Sequence, residues 1–415
     1  MPAFLANLAP REFQNNMIDL LKNKHIALGV TGSIACYKSV DLASKLTQAG
    51  ALVDVLMTTE ATKFISPLTF RSITHRPVIV DIFAPESELS INHVAIAERA
   101  SVVMIAPATA NTIAKLAQGL ADDAITTTIL ATRAPIIIAP AMDSNMYENS
   151  ATQQNVATLL ERGFVFAGPA KGRLASGLTG LGRMLETPDL LGCIKRVLSP
   201  EGDLVNRKIV VSAGGTQEPI DPVRVIANHS TGKMGYALAE AARDRGAEVS
   251  LVTTPTALDD PFGINVIKVR TALEMRSVLL HQCADADALI MAAAVADWRP
   301  SETSSHKLKK GASDTWSIDL VKNPDILAEI AGEGLIKVGF AAESEDLLAN
   351  AQSKLVSKGL HLIAANDITA SDSGFGTDTN RVTLIDRDGQ TTELPLLMKY
   401  EVSHEILDRV AQVLA

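Results

Sequence analysis

VSAGGTQEPIDPVRVIANHSTGKMG, residues Val211–Gly235, begins where the apolar run Lys208–Val211 ends and leads into a helix from Gly232. Between strand and helix lies a long turn-rich loop dense in Gly, Thr, Ser, Asn, Arg and Lys. Such a loop offers backbone N–H groups, hydroxyls and positive charge at a helix N-terminus, a combination suited to phosphate. The stretch stands near the middle of the chain and marks the start of a second nucleotide-handling unit.

Working outward, apolar strands alternate with helical patterns on both sides. Towards the C-terminus, strands are expected at Lys208–Ser212, Glu248–Thr253, Ala288–Ala292, Leu335–Phe340 and Leu360–Ala364, with helices at Gly232–Arg245, Ala272–Gln282, Pro324–Ala331 and Ser344–Lys358. Asp372–Thr379 reads as a loop, and Arg381–Asp386 with Gln390–Pro395, around Asp388-Gly389, as a hairpin. Towards the N-terminus, strands are expected at His25–Thr31, Leu52–Thr58, Ser101–Ala106, Pro135–Ala139 and Phe164–Ala167. The helices there are Ile34–Gln48, Asn92–Arg99, Thr112–Gln118, Asp123–Ala131 and Ala151–Arg162. This alternation predicts an α/β fold with doubly wound sheets. Breakers and charge at Ser199-Pro-Glu-Gly-Asp203 place a linker at 199–205, between domains 24–198 and 206–415. Residues 1–23 read as an N-terminal extension, with a short helix expected at Glu12–Leu21.

The bulk numbers agree. The chain has 415 residues, enough for two domains. It is 47% hydrophobic and 20% charged, as a folded protein is. A net charge of −9 argues against a nucleic-acid carrier acting through a general positive field. Three widely spaced cysteines, Cys36, Cys193 and Cys283, suggest neither a disulfide framework nor a zinc site and fit a reducing cytoplasm. The first 22 residues do not read as a signal peptide. The apolar runs Ala134–Met142 and Ala288–Ala296 fall short of the roughly 18 residues a membrane helix needs and read as buried parallel strands.

Several features of the first half carry chemistry. Gly29-Val-Thr-Gly-Ser-Ile follows the first strand without forming GxGxxG, which disfavours a nicotinamide cofactor. Thr31, Gly32 and Ser33 either hold a phosphate or make an ordinary strand–helix turn. Ile105-Ala-Pro-Ala and Ile138-Ala-Pro-Ala repeat at two strand ends, the edge where open α/β sheets bind ligands, and suggest a planar cofactor lying across adjacent strands. Lys171–Arg183, with four glycines, reads as a mobile flap or a plain surface loop.

Taken together, Gly32-Ser-Ile-Ala-Cys-Tyr-Lys38, His93, Ala106-Pro-Ala-Thr-Ala-Asn111, Pro140-Ala-Met-Asp-x-x-Met-Tyr147 and Ser176-Gly-x-x-Gly-x-Gly-Arg-Met184 resemble the flavin-dependent cysteine decarboxylases. The likeness spans about residues 24–198. It is nearest to the decarboxylase half of the bifunctional phosphopantothenoylcysteine decarboxylase/phosphopantothenate–cysteine ligase family of coenzyme A synthesis. The resemblance implies a flavodoxin-like, FMN-binding domain with trimeric contacts and sites between subunits. FMN would be bound through Gly32, Ser33, Thr58, Thr109, Asn111 and Met142, and His93 would be the catalytic base. In the family reaction the terminal cysteine thiol is oxidised to a thioaldehyde, the neighbouring carboxylate leaves as carbon dioxide, and the electrons return to the enethiol.

Two catalytic positions depart from that pattern. Asp143 stands where the family has an Asn associated with the substrate carboxylate. An ionised Asp there would repel that carboxylate by up to roughly 4 kcal/mol at about 4 Å and an effective dielectric near 20. Ser176 stands where the flap usually carries a Cys proton donor. The departures leave open a working decarboxylase with altered proton handling, or a flavin-binding or assembly domain.

In the second half, Ala292-Ala-Ala-Val-Ala-Asp-Trp-Arg299 closes a buried strand with small residues and presents Asp297, and Lys307-Leu-Lys-Lys310 follows. Lys322-Asn-Pro-Asp-Ile326 turns into a helix with Pro324 at its first position. Phe340 stacks on a base or packs in a core, and Lys354 and Lys358 share a helix face. With Asp221-Pro-Val-Arg-x-Ile-x-Asn-His-Ser-x-Gly-Lys-Met-Gly235 and Gly339-Phe-Ala-Ala-Glu343, these motifs resemble the ligase half of the same family over about residues 204–412. The resemblance implies a Rossmann-like ligase domain with dimeric contacts. Such a domain would activate 4′-phosphopantothenate with CTP and Mg2+ as an acyl-cytidylate, which cysteine would then convert to the amide. Asn228 and Arg224 would handle the acyl-cytidylate and Lys307 the charge on the transferring phosphoryl group. Ala293, Asp297, Pro324, Asp325, Ile326, Leu327, Phe340, Lys354 and Lys358 would contact CTP or pantothenate, and no metal ligand is assigned. The expected partners are small molecules and further copies of the chain, with neither nucleic acid nor membrane. A nicotinamide dehydrogenase, a non-enzymatic regulator and a flavin prenyltransferase are the competing readings. The missing GxGxxG disfavours the first, and the ligase motifs disfavour the other two.

Overall fold

The structure is a computed structural model that describes residues 20–82, 92–199, 202–309, 316–332, 334–343, 347–367 and 376–415. Most of the expected Glu12–Leu21 helix, residues 200–201 of the linker, Lys310, the start of the Ser344–Lys358 helix and residues 372–375 lie outside the described residues.

The first half is a sheet of six strands: β1 (His25–Val30), β2 (Leu52–Met57), β3 (Val78–Ile79), β4 (Val102–Ala108), β5 (Ile136–Pro140) and β6 (Val165–Phe166). They pair in parallel in the order β3-β2-β1-β4-β5-β6. Without the two-residue edge strand β3, this is the flavodoxin-like order, which reverses direction between β1 and β4. Alternate residues feed opposite faces. Ile26, Leu28 and Val30 join one core with α1 (Cys36–Gln48) and α2 (Pro67–Thr74). Ala27, Val103 and Ile105 join the other, with α3 (Asn92–Arg99), α4 (Ala110–Gln118), α5 (Ala124–Ala131) and, beyond the short α6 (Ser144–Glu148), α7 (Ser150–Glu161). A hairpin of β7 (Ala170–Arg173) and β8 (Thr179–Arg183) then leads to α8 (Thr187–Val197), whose Leu190, Cys193 and Ile194 return to the first core.

The second half begins with β9 (Lys208–Ala213), the ribbon β10 (Gln217–Pro219) and β11 (Val225–Ala227), and α9 (Lys233–Asp244). It continues through β12 (Glu248–Thr253), β13 (Asn265–Lys268), α10 (Ala272–Gln282), β14 (Ala288–Met291), and the ribbon β15 (Trp298–Pro300) and β16 (Leu320–Lys322). Then come α11 (Ile326–Glu329), β17 (Ile336–Glu343), α12 (Leu347–Ser357) and β18 (Leu362–Asp367). The chain finishes with β19 (Thr379–Asn380), β20 (Val382–Asp386), β21 (Thr391–Glu393), β22 (Leu397–Met398) and α13 (Lys399–Leu414). The sheet runs β13-β12-β9-β14-β17-β18-β20-β21, parallel until β18 and antiparallel beyond it. Its parallel part has the Rossmann order and reverses between β9 and β14. The expected hairpin is β20–β21, and both long apolar runs are buried parallel strands, β5 and β14. Helices α2, α8 and α13 and the edge strand β13 were not expected.

A buried polar cluster joins the halves. Asp244, at the end of α9, is fully buried. It takes an ion pair from Arg243 at 2.7 Å, a hydrogen bond from the Tyr400 hydroxyl at 2.6 Å and an ion pair from Lys195 of α8 at 3.3 Å. The Lys195 ammonium lies 4.2 Å from the Tyr400 ring centroid. The Ser199 hydroxyl reaches the Asp244 carbonyl, so the expected linker starts already bonded to the second half. At its other end Asp203 pairs with the buried Arg245, and Leu204 is in the second core. Burying several charges pays off only while all are partnered. Asp244→Ala, which strands Arg243 and Lys195, is therefore expected to cost about 3–5 kcal/mol. Urea denaturation measures it; a loss under about 1 kcal/mol would show that the cluster is not paired this way.

Candidate active sites

Two cavities lie at the carboxyl edge of a parallel sheet. The first, of about 660 Å3, opens at the ends of β1, β4 and β5. The Thr31 hydroxyl donates to the Pro107 carbonyl at 2.7 Å and accepts from the Thr109 N–H at 3.1 Å, tying the ends of β1 and β4 together. Gly32 and Ser33 are thereby presented beside Thr109, which caps α4 by accepting from the Thr112 N–H. No side chain caps α1, whose first turn adjoins the cavity.

The glycine-rich hairpin β7–β8 closes the far side. Its strand β8 lies directly on the turn after β5: the Met142 N–H donates to the Gly182 carbonyl at 3.0 Å. A Cβ on Gly182 would come 2.2 Å from the Met142 oxygen, so only glycine permits this approach. At the hairpin tip the Ser176 hydroxyl donates to Asp143 Oδ2 at 2.8 Å. The other Asp143 oxygen accepts from the Asn145 N–H at 3.0 Å and caps α6. The two residues that depart from the decarboxylase pattern are thus bonded to each other.

Gly32, Ser33, Thr109, Met142, Asp143 and Ser176 all line this cavity. Three other expected residues do not. The Thr58 hydroxyl is buried in its own turn, accepting from the Ala61 N–H; Asn111 is exposed on α4; His93 is half-buried on α3, across the sheet. Three cations missed as site residues face the cavity: Lys38, Arg173 and Arg183. Lys38 is 5% exposed and donates to the Met184 carbonyl and Glu186, both at 2.8 Å. A lysine among buried positions of α1 was the available signal.

In the second half the loops after β9 and β14 are knitted together. The Ala294 N–H donates to the Gly214 carbonyl, the Ala293 N–H to the Ser212 hydroxyl, and the Ala296 N–H to the Thr216 hydroxyl. Asp221, 2% exposed, organises the cationic side. Its carboxylate accepts from the N–H groups of Val223 and Arg224, both at 2.8 Å, and of Leu308 at 3.2 Å, and it pairs with the Arg224 guanidinium at 3.0 Å. Burial pushes this carboxyl up, but the three N–H donors and Arg224 outweigh it and hold the group below the usual range. Arg224 also reaches the Leu308 carbonyl and lies over the Trp316 ring. Lys307, exposed beside Leu308, is thereby brought near Arg224. Asn228 donates to the Val295 carbonyl at 3.1 Å. The Asp297 side chain is exposed, while its carbonyl takes the Asn323 N–H, which fixes Pro324 and Asp325 close by. Ile326 and Leu327 are core side chains, leaving only their backbone for a ligand. Lys354 lies on α12, whereas Lys358 stands in the turn just past its end, not on the helix as expected, and pairs with Asp325 at 3.2 Å.

A second cavity sits between the N-termini of α9 and α13. Its wall includes Ser230, Gly232, Lys233, Phe340, Asn366 and Lys399. Gly235 is the point where α9 meets β9: a Cβ there would lie 2.5 Å from that of Ala213. Of the expected contacts, Phe340 alone lines this cavity. Asn366 and Lys399 were missed, being more than a hundred residues from the glycine loop.

No helix among the described residues is long and apolar enough to cross a membrane. Residues 204–414 match the family profile described as DNA/pantothenate metabolism flavoprotein C-terminal domain, and residues 15–199 match the flavoprotein profile. The coenzyme A biosynthesis bifunctional protein CoaBC of Vibrio cholerae is 44% identical over 93% of this chain and 98% of the relative. That of Bacillus subtilis is 44% identical over 94% and 98%, and that of Escherichia coli 40% over 94% and 97%. The chain belongs to the family of bifunctional coenzyme A biosynthesis proteins.

Proposed function

We propose that the chain catalyses two consecutive steps of coenzyme A biosynthesis, one in each half. Residues 206–415 ligate 4′-phosphopantothenate to cysteine with CTP, and residues 24–198 decarboxylate the product to 4′-phosphopantetheine. The observation that carries this reading is the pair of cavities at the two strand-order reversals, each bordered by its own half's motif residues.

In the ligase half, the N-terminus of α9 and Lys233 suit the phosphates of CTP, and Phe340 forms an apolar wall. Arg224, Asn228 and Lys307 border the loops after β9 and β14. There the pantothenate carboxylate attacks the α-phosphorus, pyrophosphate leaves, and the acyl-cytidylate forms. Lys307 stabilises charge on the transferring phosphoryl group, and Mg2+, when bound with CTP, would supply further positive charge beside the triphosphate. The cysteine amine then attacks the acyl carbonyl and CMP departs. Asp297, Ala293, Pro324, Asp325, Lys354 and Lys358 complete the substrate contacts.

The first cavity has the volume of a cofactor site, an uncapped helix start and the Thr109 hydroxyl, which fit FMN. FMN would supply the electron acceptor for thiol oxidation and return the electrons after carbon dioxide is lost. The chain's own part is to seat the substrate under the β7–β8 flap, with Asp143 and Ser176 at the reacting end. His93 is absent from the cavity wall of its own copy, so the reading includes a homo-oligomer in which a neighbouring copy supplies it. Trimeric contacts are assigned to the first half and dimeric ones to the second, in a cytoplasmic enzyme.

Four outcomes test this. Purified protein is expected to be yellow, with flavin absorbance. With phosphopantothenate, cysteine, CTP and Mg2+ it should convert the amide onward to phosphopantetheine; a product that stops at the amide sinks the decarboxylase half of the reading. Lys307→Gln should slow single-turnover acyl-cytidylate formation by about 10²–10³-fold, as for loss of one transition-state donor, with CTP affinity little changed. Asp143→Asn removes a carboxylate whose repulsion is worth up to roughly 4 kcal/mol and should raise carbon dioxide release at neutral pH at least tenfold. An unchanged rate would show that Asp143 does not face the substrate carboxylate.

A further inference from the structure

We propose that Lys399, together with Lys233, holds a phosphoryl group of one of the two phosphorylated substrates in the second cavity. The inference rests on the nucleotide-site reading above and adds residues to it from the far end of the chain.

Lys399 opens α13, a helix of 16 residues, and its side chain is 5% exposed while lining the cavity. Its ammonium donates to the Thr377 carbonyl. Lys233 opens α9 on the opposite wall. It donates to the Gly376 carbonyl at 3.0 Å and pairs with Asp378 at 2.7 Å. The N-cap of α9 is Gly232, in the left-handed conformation and without a side-chain cap. Two helix N-termini and two ammonium groups therefore converge on one small space. Among the described lining residues there is no carboxylate. Asp378, the counterion of Lys233, is largely exposed on the loop outside, a partner that an incoming dianion can replace.

Asn366 points independently to a ligand. It lines the same cavity and is 8% exposed, and its Oδ1 has no hydrogen-bond partner among the described residues. A buried amide end left unmatched is costly and is satisfied by a bound molecule. As assigned, it accepts from a ligand hydroxyl or amine; with the amide turned over, it donates to a phosphoryl oxygen.

Burial pushes the Lys399 ammonium down to about 8, and Lys233 adds to the shift while Asp378 opposes it. Among the described residues, Lys233 and Asp378 are charged groups that act on Lys399. A bound anion favours the protonated amine, so affinity is full below pH 8 and falls as pH rises through that value.

Isothermal titration with CTP, with 4′-phosphopantothenate and with inorganic pyrophosphate, between pH 6.5 and 9.5, tests the assignment. In the wild type, Kd for the ligand that Lys399 holds should rise above pH 8, approaching tenfold per unit. Lys399→Met should weaken that ligand at pH 7 by about tenfold or more and abolish the pH dependence. Lys399→Arg, which keeps the charge, should restore affinity without the rise, a rescue that a merely structural lysine would not give. Weakening of CTP and pyrophosphate assigns the triphosphate, and weakening of 4′-phosphopantothenate alone assigns the monoester. If Lys399→Met binds every probe as the wild type does, or keeps the same pH profile, the inference fails while the ligase reading stands. If the wild type binds none of the probes, both fail.

Discussion

Reversal of the winding direction, between β1 and β4 and again between β9 and β14, is the constraint on which the rest of this molecule depends. Each right-handed crossover sends its helix to one face of the sheet. Where consecutive crossovers leave for opposite faces, the loops at the carboxyl edge separate and open a crevice. Both cavities lie at that edge, and the helix N-terminus that follows each opening strand, α1 or α9, borders its cavity.

Buried polar ties then fix what the loops present. Asp221 spends its carboxylate on three backbone N–H groups and Arg224, and so brings a loop after β9 against one that follows β15. Thr31 does the same for the ends of β1 and β4 with one hydroxyl. Asp244, Lys195 and Tyr400 join the two halves, and Tyr400 is the neighbour of Lys399 on α13. One helix thus carries a wall of the second cavity and a tie to the flavin-type half.

The Asp143–Ser176 hydrogen bond changes how the two departures from the decarboxylase pattern are read. Taken singly, one places a carboxylate where a carboxylate substrate is expected, and the other replaces a thiol acid by a weaker one. In the fold they form one unit, with the flap tip bonded to the turn after β5. The two departures are therefore one structural feature rather than two.

Much of the fold was legible in local pattern. Asn92–Arg99, Glu248–Thr253 and Ala272–Gln282 form the elements expected; the first two follow an apolar period, and the third is marked by its Thr271–Glu274 capping box. Helix α13 was overlooked although Val402, Ile406 and Val410 repeat at helical spacing, and β13 is too short to show alternation. The sequence by itself determined the two α/β units, their order, and the family motifs carried by the loops of each, since periodicity, glycines and motifs are local. Only the tertiary structure decided which distant residues meet: Ser176 with Asp143, Asp221 with the Leu308 loop, Lys399 and Asn366 with the Gly232 loop. Those meetings depend on strand order and crossover direction, which bring together loops whose separation along the chain carries no signal.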